Sequence, residues 1–419
     1  MSPSAVPVSA SSLAANDTAR TITKTAASIT NLQPADALPE LNAANLETNF
    51  TDAPRSLPHR GSPEEASQSV CTDHMVTCQW TAQTGWQAPK LHAYGPLQLM
   101  PTASVLHYAT ECFEGMKLYR GFDGKLRLFR PKLNTARMLM SATRIALPAF
   151  NPEELLKLIV TLCATDGPKW LPKERPGSFL YIRPTMIAND PALGVQKPKQ
   201  ALLYVILCCF PEMDAKPAGM KLLASKEDMV RAWPGGFGFA KVGANYGPTL
   251  VCQGEARARG YDQILWLYGK EGQVTEAGAS NFFVVWRTPE GKTQLVTAPL
   301  SNGGGQLILD GVTRRSVVEL VSTRLHDELE IVERKYDIGE VMKAADEGRL
   351  LEAFAAGTAF FIAGVGEIAW KERVLKLKVG DDGCGKYAGQ VKAWMREIMY
   401  GKEDNAWGYV VNETGVPRS

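Results

Sequence analysis

A short polar stretch with two prolines, PEMDAKPAG at residues 211–219, divides this chain into two regular halves. Proline has no backbone N–H to donate, and a polar segment has little surface to bury, so such a stretch is typical of a link between domains. A chain of 419 residues is long enough for about two domains. We therefore predict a small α+β domain at residues 39–210, an interdomain linker at 211–219 and a larger, strand-rich domain at 220–419.

The first half of the chain mixes hairpins with helices. The segments MVTCQW and KLRLFR alternate as strands do, and GFDG at residues 121–124 has the turn chemistry of a hairpin. A helix is expected at residues 151–167, where Asn151 can cap the first turn, Pro152 suits its start and Gly167 marks its end. This mixture predicts the α+β class.

The second half of the chain is richer in strands. The segments MKLLAS, DQILWLYG, QVTEAGASNFFVVWR, TQLVTAP and EIVERKY all have strand character. Two helices are expected, one at residues 248–260 and one that begins at Gly311 after the glycine-rich loop SNGGGQLILDG.

The N-terminal segment, residues 1–38, is rich in Ser, Ala and Thr and almost lacks aromatic residues. It cannot bury enough apolar surface to fold alone, so we predict a disordered extension. Its early bases, Arg20 and Lys24, match only part of the pattern of a mitochondrial presequence. A cytoplasmic protein is predicted, with a mitochondrial location as the alternative if this extension is a cleaved presequence.

Composition excludes several classes of function. Lys and Arg number 46 against 44 Asp and Glu, so no strong field attracts nucleic acid or an anionic membrane. The longest apolar run, residues 201–210, is far shorter than the ~18 residues of a membrane-spanning helix. The eight cysteines include no C-x-x-C and no zinc-ligand spacing, so we predict reduced, buried thiols and no metal site.

One phosphate-binding motif is a false lead. GDDGCGKY at residues 380–387 has the glycine and lysine spacing of a P-loop, but Tyr387 stands where a magnesium-binding Ser or Thr is needed. Asp381 and Asp382 would also repel a polyphosphate. We therefore expect a plain turn between a strand and a helix.

Four other features each allow both a structural and a functional interpretation when taken alone. Lys241, in KVGANYG, is either a surface charge or an amine made nucleophilic by apolar neighbours. Gly311 opens a helix whose free N–H groups could hold an anion, and Thr358 follows a glycine in a tight bend. Glu276, in VTEAGASNFF, is either a solvated edge residue or a buried acid that holds a cation. Together, a reactive lysine, an anion seat, a hydroxyl and a carboxylate are what pyridoxal phosphate requires.

The chain with these features resembles a known family, the branched-chain amino acid aminotransferases, which are pyridoxal-phosphate enzymes of fold type IV. The resemblance covers roughly residues 40 to 410, and each matching stretch is weak alone, but their order along the chain is specific. The matching stretches are TDHM, LHYATECFEGMKLYRG, LRLFRPKLNTARML, LYIRPTMI, LGVQKP, VRAWPGG, KVGANYGPTL, QILWLYG, VTEAGASNFF, GVTRRS and GTA.

The resemblance implies a role for each residue that would bind the cofactor. Lys241 matches the lysine that holds the cofactor covalently and then shuttles the substrate proton. Glu276 matches the carboxylate that faces the pyridine nitrogen, and Tyr246 matches the tyrosine that bonds the phenolic oxygen. The matching phosphate ligands are Arg137, Val312, Thr313 and Thr358.

The resemblance also implies the substrate pocket and the reaction. Tyr108, Arg183 and the turn at Thr358 and Ala359 match the group that recognises the substrate carboxylate. Phe113 and Tyr181 match walls of the side-chain pocket. The implied reaction moves the amino group of L-Leu, L-Ile or L-Val to 2-oxoglutarate, and the implied assembly is a homodimer with the cofactor between the two domains.

Some positions depart from the family pattern. Asp310 replaces a common proline before the helix at Gly311, and Phe360 and Phe361 follow GTA where a smaller residue is usual. A redox C-x-x-C found there in some animal members is missing, so we predict no thiol switch. The departures leave three alternatives open, namely a D-amino acid aminotransferase, an aminodeoxychorismate lyase and a specialised relative with a shifted substrate. A non-catalytic relative is disfavoured because Lys241, Tyr246, Glu276 and Arg137 are all retained.

Overall fold

The structure, a computed structural model, describes residues 38–59, 61–211, 216–300, 307–359 and 361–413. Nearly all of the predicted N-terminal extension and residues 212–215 of the predicted linker lie outside these ranges. The domain boundaries drawn from the sequence therefore stay a prediction. The described residues combine helices with two large sheets, and the α+β class is confirmed.

The first sheet has ten strands within the described residues and is built mainly from the first half of the chain. Its strands are β1 (Glu47–Thr48), β2 (Cys71–Thr81), β3 (Gly85–Trp86), β4 (Lys90–Ala93), β5 (Glu111–Phe113), β6 (Met116–Arg120), β7 (Leu126–Phe129), β8 (Phe179–Ala188), β9 (Gln200–Cys209) and β19 (Gly408–Val411). They lie in the order β1-β4-β2-β9-β8-β6-β7-β19, with β3 beside β2 and β5 beside β8. The predicted hairpin at residues 121–124 joins β6 to β7, as expected.

The second sheet has nine strands in the described part of the second half. Its strands are β10 (Met220–Ala224), β11 (Gln263–Tyr268), β12 (Gln273–Ala277), β13 (Ser280–Arg287), β14 (Thr293–Thr297), β15 (Glu330–Glu333), β16 (Leu350–Gly357), β17 (Phe361–Trp370) and β18 (Arg373–Lys376). They lie in the order β12-β11-β10-β17-β16-β13-β14-β15, with β18 beside β17. The antiparallel pair β12–β13 closes around a tight turn and places Glu276 opposite Asn281.

The described residues form eight α-helices in addition to the two sheets. They are α1 (Pro63–Ala66), α2 (Ser104–Tyr108), α3 (Pro131–Arg144), α4 (Pro152–Trp170), α5 (Leu250–Ala258), α6 (Val312–Arg324), α7 (Ile338–Asp346) and α8 (Lys386–Met399). None of the helices in this part of the chain is long and apolar enough to span a membrane.

The helix α4 begins as predicted and ends later than predicted. The Asn151 side chain accepts a hydrogen bond from the Glu153 N–H and Pro152 lies in the first turn, but the helix continues past Gly167 to Trp170. A Cβ at Gly167 would lie 2.7 Å from Leu126 Cδ1. The glycine therefore serves close packing of the helix on the sheet and does not end the helix.

An apolar cluster joins the two halves of the molecule. Tyr119 and Phe129 of the first sheet pack in one buried cluster with Phe283 and Phe354 of the second sheet and with Met395 of α8. The last strand, β19, follows α8 and returns to pair with β7 in the first sheet. The chain thus crosses back after residue 400, so the two sheets are held together both by packing and by the backbone.

Candidate active site

A cleft of about 470 Å³ is lined by residues from both sheets. It brings together ten residues that the sequence singled out, which are Phe113, Arg137, Tyr181, Arg183, Lys241, Tyr246, Val312, Thr313, Thr358 and Ala359. Glu276 lines a smaller adjoining cavity that shares Tyr246 and Leu309 with the cleft. A concave site with a few convergent polar groups is the usual form of a small-molecule site.

The backbone of Lys241 is fixed from both sides. Its N–H donates to Ser141 Oγ at 2.9 Å, and its carbonyl accepts from the Phe113 N–H at 3.1 Å. Asn245 then donates its amide to the Ala240 carbonyl at 2.8 Å, which closes the following 3₁₀ turn. These bonds set the direction from which the lysine enters the cleft.

The Lys241 amine lies among aromatic groups. Its Nζ donates to Tyr246 Oη at 3.2 Å and stands 4.8 Å from the centroid of the Phe113 ring. Phe237 and Phe239, shortly before the lysine in the chain, pack half-buried against the core that contains Val242. The lysine is therefore a cleft residue beside a hydroxyl, not a solvated surface charge.

Glu276 is a buried acid, only 3% exposed. Its Oε1 accepts from the Leu309 N–H at 2.9 Å and from Asn281 Nδ2 at 3.3 Å. Its Oε2 pairs with Arg231 Nη2 at 2.8 Å. Burial raises the pKa of this carboxyl, and Arg231, the Leu309 N–H and the nearby Lys241 and Arg137 charges oppose that rise.

One corner of the cleft has the features of an anion-binding site. The helix α6 begins at Val312 after an N-cap glycine, Gly311, that has no side chain to cap the first N–H groups, and Gly311, Val312 and Thr313 line the cleft. The Arg137 guanidinium lies opposite and donates to the Asp310 carbonyl at 2.7 Å. Thr358 Oγ1 donates to the Gly115 carbonyl at 3.3 Å.

Arg137 is held by an acid that the sequence did not single out. Its Nε and Nη2 donate to the two carboxylate oxygens of Glu114 at 2.7 Å and 2.8 Å, and Asn134 Nδ2 donates to the same carboxylate at 2.9 Å. Glu114 is 1% exposed. A guanidinium has five N–H donors, so this arrangement leaves donors free to point into the cleft.

The opposite end of the cleft carries Arg183 between two aromatic rings. Its guanidinium carbon lies 4.7 Å from the Phe113 ring centroid and 5.1 Å from that of Tyr181. Arg183 Nη2 donates to Tyr181 Oη at 3.3 Å, whereas the buried Nε has no partner. A cation next to apolar ring faces suits a ligand with a carboxylate and a hydrocarbon side chain.

Sequence comparison agrees with this geometry. The family model described as "Amino-transferase class IV" matches residues 111–368. A cytosolic branched-chain-amino-acid aminotransferase of Saccharomyces cerevisiae is 44% identical over 365 residues, which cover 85% of this chain and 95% of that protein. A mitochondrial one of Schizosaccharomyces pombe is 41% identical and covers 90% of this chain.

The chain belongs to the branched-chain-amino-acid aminotransferases of class IV. A crystal structure of the branched-chain aminotransferase of Thermoproteus uzoniensis, solved with norvaline, matches 80% of this chain and all of that one with a TM-score of 0.63 and 25% identity. The fold-type IV architecture is confirmed with it. As a class IV aminotransferase, the chain uses pyridoxal 5′-phosphate.

Glycines of this aminotransferase let neighbouring side chains approach the backbone closely around the cleft. A Cβ at Gly311 would clash with Asn281 Oδ1, one at Gly115 would clash with the Tyr181 hydroxyl, and one at Gly357 would lie 2.5 Å from Ser280 Oγ. With a lysine amine, a buried acid and an open helix N-terminus in the same site, the residues present fit the cofactor.

Three positions that the sequence singled out in this aminotransferase do not line the cleft. Tyr108 ends α2 on the surface, where its Oη accepts from the Gly194 N–H at 2.8 Å. Asp310 pairs with Arg315, and Phe361 packs its ring over the Lys117 amine at 4.4 Å. Phe360 lies outside the described residues. The departures at Asp310 and Phe361 are thus beside the cleft and do not line it.

Sequence reasoning missed several groups that support this site. Glu114 and Arg231 each pair with a residue that was singled out, and Lys117 donates to the Ala359 carbonyl at 2.8 Å. All three stand in matching stretches, FEGMK and VRAW, so the signal was present without an assigned role. The described residues contain no group of three His, Cys, Asp or Glu that could hold a metal ion.

Proposed function

We propose that this aminotransferase moves the amino group of L-Leu, L-Ile or L-Val to 2-oxoglutarate, which gives branched 2-oxo acids and glutamate. The observation that carries the proposal is that Lys241 and the N-terminus of α6 lie in one cleft with an apolar end, next to the adjoining cavity that Glu276 lines. Its relatives named branched-chain-amino-acid aminotransferases support the choice of substrate.

Pyridoxal phosphate supplies an aldehyde that takes up the amino group and a ring that withdraws electrons from the substrate Cα. Lys241 would hold the aldehyde carbon, and Tyr246 would bond the phenolic oxygen. The phosphate would sit between Arg137 and the N–H groups of Val312 and Thr313, with Thr358 beside it.

Lys241 and Tyr246 would handle the proton of the reaction. When the amine of Lys241 is free, its Nζ is placed to accept the proton from the substrate Cα and to return it later. The Tyr246 hydroxyl at 3.2 Å holds that nitrogen at one position. A fixed position matters because proton transfer requires approach within hydrogen-bond distance.

Glu276 and Arg231 would set the charge at the far end of the cofactor. A buried acid tends to take up a proton, and the Arg231 guanidinium at 2.8 Å opposes that tendency by favouring the carboxylate. The charged carboxylate then keeps a proton on the pyridine nitrogen. We propose Arg231 as a positioning residue, because it acts through Glu276.

The substrate would lie between Arg183 and the turn at Thr358 and Ala359. Arg183 supplies positive charge for the carboxylate, and the turn supplies backbone and hydroxyl donors. Phe113 and Tyr181 provide an apolar wall, where each buried methylene contributes about 0.8 kcal/mol. A hydrocarbon side chain is therefore favoured over a polar one.

We propose a homodimer as the working assembly. Tyr108 cannot bind the substrate carboxylate of its own cleft from its position on α2, and its predicted role requires a second copy. Leu106, Met100 and Val195 expose 58%, 61% and 89% of their surface near it, which is typical of a face that another chain covers. Light scattering of the purified protein tests this, and a monomer that is fully active would contradict it.

The compartment is proposed as cytoplasmic, with the mitochondrion as the alternative. Relatives with both locations exist. Fluorescent fusions of the whole chain and of a chain that lacks residues 1–38 would separate the two locations. The proposal requires the same diffuse signal from both fusions, and a mitochondrial signal lost on deletion would contradict it.

Half-reactions test the substrate. The purified holoenzyme is mixed in turn with L-Leu, L-Ile, L-Val, D-Ala and aminodeoxychorismate, and the absorbance of the cofactor is followed. We expect the three branched L-amino acids to convert the cofactor to its amine form. Conversion by D-Ala alone, or release of pyruvate from aminodeoxychorismate alone, would replace the proposal with one of the two alternatives.

A further inference from the structure

Two cysteines far apart in the chain lie side by side on neighbouring strands of the first sheet. Cys71 is the first residue of β2, and Cys208 lies next to the end of β9. The two strands are antiparallel and pair Cys71 directly with Cys208. Both thiols are buried, with 3% and 6% of their surface exposed.

The backbone hydrogen bonds show which kind of pair this is. The Cys209 N–H donates to the Val70 carbonyl at 2.8 Å, so the bond joins the residues that flank the pair. Cys71 and Cys208 are therefore a non-hydrogen-bonded pair, in which Cα atoms lie about 4.5 Å apart and the side chains are close. That separation is within the range of about 4.4–6.8 Å found in disulfides.

The thiol of Cys71 differs from the other thiols of the chain. The neighbouring Cys208 thiol lowers the pKa of Cys71 to about 7, and Tyr94 and Arg55 act in the same direction against burial. The Cys208 Sγ itself donates to the Gln68 carbonyl at 3.2 Å. The pKa values of the other seven thiols are raised, with burial as the main cause in six of them. A thiolate beside a thiol is the arrangement that oxidation to a disulfide requires.

The position of the two cysteines in the sheet favours access of an oxidant to their thiols. Both cysteines lie at strand ends, where local opening costs least. Exposed Arg55 stands over the half-exposed ring of Tyr94 at 4.7 Å, and these two side chains are also the groups that act on Cys71.

We propose that Cys71 and Cys208 form a modification site, at which a hydroperoxide converts the two thiols to a reversible disulfide beside the substrate pocket. The Cys71 thiolate attacks one peroxide oxygen, an S–O bond forms, the O–O bond breaks and an alcohol or water leaves after protonation. The Cys208 thiol then attacks the Cys71 sulfur, the S–S bond forms and water leaves. Two electrons pass from the two sulfurs to the peroxide.

The site adjoins the wall of the cleft. Cys208 is the direct cross-strand neighbour of Tyr181 on β8, and Tyr181 in turn pairs with Lys117 on β6. Paired residues project to the same face of a sheet, so a single row of side chains runs from Cys71 to Lys117, which donates to the Ala359 carbonyl. A covalent bond at one end of this row restricts the movement of the Tyr181 wall.

The missing C-x-x-C led to the expectation of no thiol switch. That expectation concerns cysteines close in sequence, whereas this pair is made by strand pairing and has no sequence signature. The two cysteines stand in separate segments, CTDHM and LCCF, whose register only the fold determines.

Peptide mapping of the oxidised holoenzyme tests the site. The protein is treated with hydrogen peroxide, its free thiols are alkylated, and it is digested without reductant. We expect a crosslinked peptide pair that contains Cys71 and Cys208, with the mass of two hydrogens lost, and its disappearance with dithiothreitol. The neighbouring Cys209→Ser variant is the matched control and should give the same crosslink, whereas Cys71→Ser and Cys208→Ser should not.

Two further measurements accompany the mapping. Oxidation should raise the Tm of the wild type and of Cys209→Ser but not of Cys208→Ser, because a crosslink restricts the unfolded chain. It should also shift the KM for the amino acid in the same two proteins. A Cys71 peptide found only as sulfinic or sulfonic acid, or a crosslink to Cys209, would overturn the proposal, and an unchanged KM would overturn its link to the pocket.

Discussion

Two helices of this aminotransferase have similar N-termini, but different groups lie next to those N-termini. In the sequence, both α6 and α8 follow a glycine-rich segment, and each has a glycine at its N-cap, Gly311 and Gly385, with no side chain to cap the first turn. The first residues of α6 line the cleft together with Arg137. Those of Tyr387 and Ala388 in α8 donate to the Glu352 carboxylate at 3.1 Å and 3.0 Å.

The difference shows what makes an anion site. A helix N-terminus attracts negative charge wherever it occurs, so both starts offer the same dipole. At α8 a buried acid of the protein, 3% exposed, already fills the place, whereas at α6 a cation and open space leave it for a ligand. The P-loop-like spacing before α8 is therefore a structural turn, as the sequence analysis expected.

The largest effect is expected when the cation opposite α6 is removed. Arg137→Met should weaken cofactor binding about 10- to 150-fold, because a hydrogen bond to a charged group is worth about 1.5–3 kcal/mol. Titration of the apoenzyme with pyridoxal phosphate, followed by absorbance, measures the change.

A stability effect must be separated from this loss of binding. Arg137→Met leaves Glu114 buried without its partner, which costs about 3–5 kcal/mol. The double variant Arg137→Met/Glu114→Gln removes that charge and should recover much of the lost Tm. Cofactor affinity at the wild-type level in this double variant would mean that Arg137 does not hold the phosphate.

A smaller effect is expected from adding one methyl group at each N-cap. Gly311→Ala places a Cβ against Asn281 Oδ1, and Gly385→Ala places one against Glu352 Oε2. Each overpacked contact costs about 1–3 kcal/mol, but the cost appears in a different measurement for each variant. Gly311→Ala should mainly weaken cofactor binding, and Gly385→Ala should mainly lower the Tm of the apoenzyme.

The two alanine variants act as controls for each other. Cofactor titration and thermal unfolding are measured on both proteins. If the two variants lost cofactor affinity to the same extent, the contrast between the two helix starts would be wrong.

The smallest effect concerns the acid at α8. Burial raises the pKa of Glu352 from 4.5 to about 7, so the folded state binds this proton more tightly than the unfolded state. The stability contributed by the protonated acid is complete below the unfolded pKa and is lost as pH rises through about 7. Glu352→Gln should therefore be more stable than the wild type at pH 8 by about 1–3 kcal/mol, and the two should converge toward pH 5.

Urea unfolding at both pH values measures that difference. The amide oxygen of glutamine can still accept the N–H bonds of α8, so the comparison isolates the charge. A variant less stable than the wild type by the same amount at both pH values would contradict the raised pKa of Glu352.

Much of the fold could be predicted because it depends on local patterns. The hairpin at residues 121–124, the start of α4 at Asn151 and several strands, such as β2, β7, β11 and β14, follow from turn residues, caps and alternation. The end of α4 could not be predicted, because Gly167 is shaped by its contact with Leu126 on a strand. The return of β19 to the first sheet likewise depends on pairing between distant segments.

The site was predictable where motifs carry single residues and not where the residues act in pairs. Lys241, Glu276 and the α6 seat could be found in short stretches. Glu114 and Arg231 could not be assigned, because each matters only through a partner far away in sequence. Tyr108 is the opposite case. Its motif matches the family, but in the fold of a single chain its side chain bonds the Gly194 N–H and does not line the cleft.

Borohydride trapping tests the central claim most directly. The holoenzyme is reduced with sodium borohydride and digested, and the peptide that carries the phosphopyridoxyl group is identified by mass spectrometry. The account predicts that the group is found on Lys241 and that Lys241→Ala, loaded and reduced in the same way, carries none. A label on another lysine of the native protein, or an undiminished label in Lys241→Ala, would contradict it.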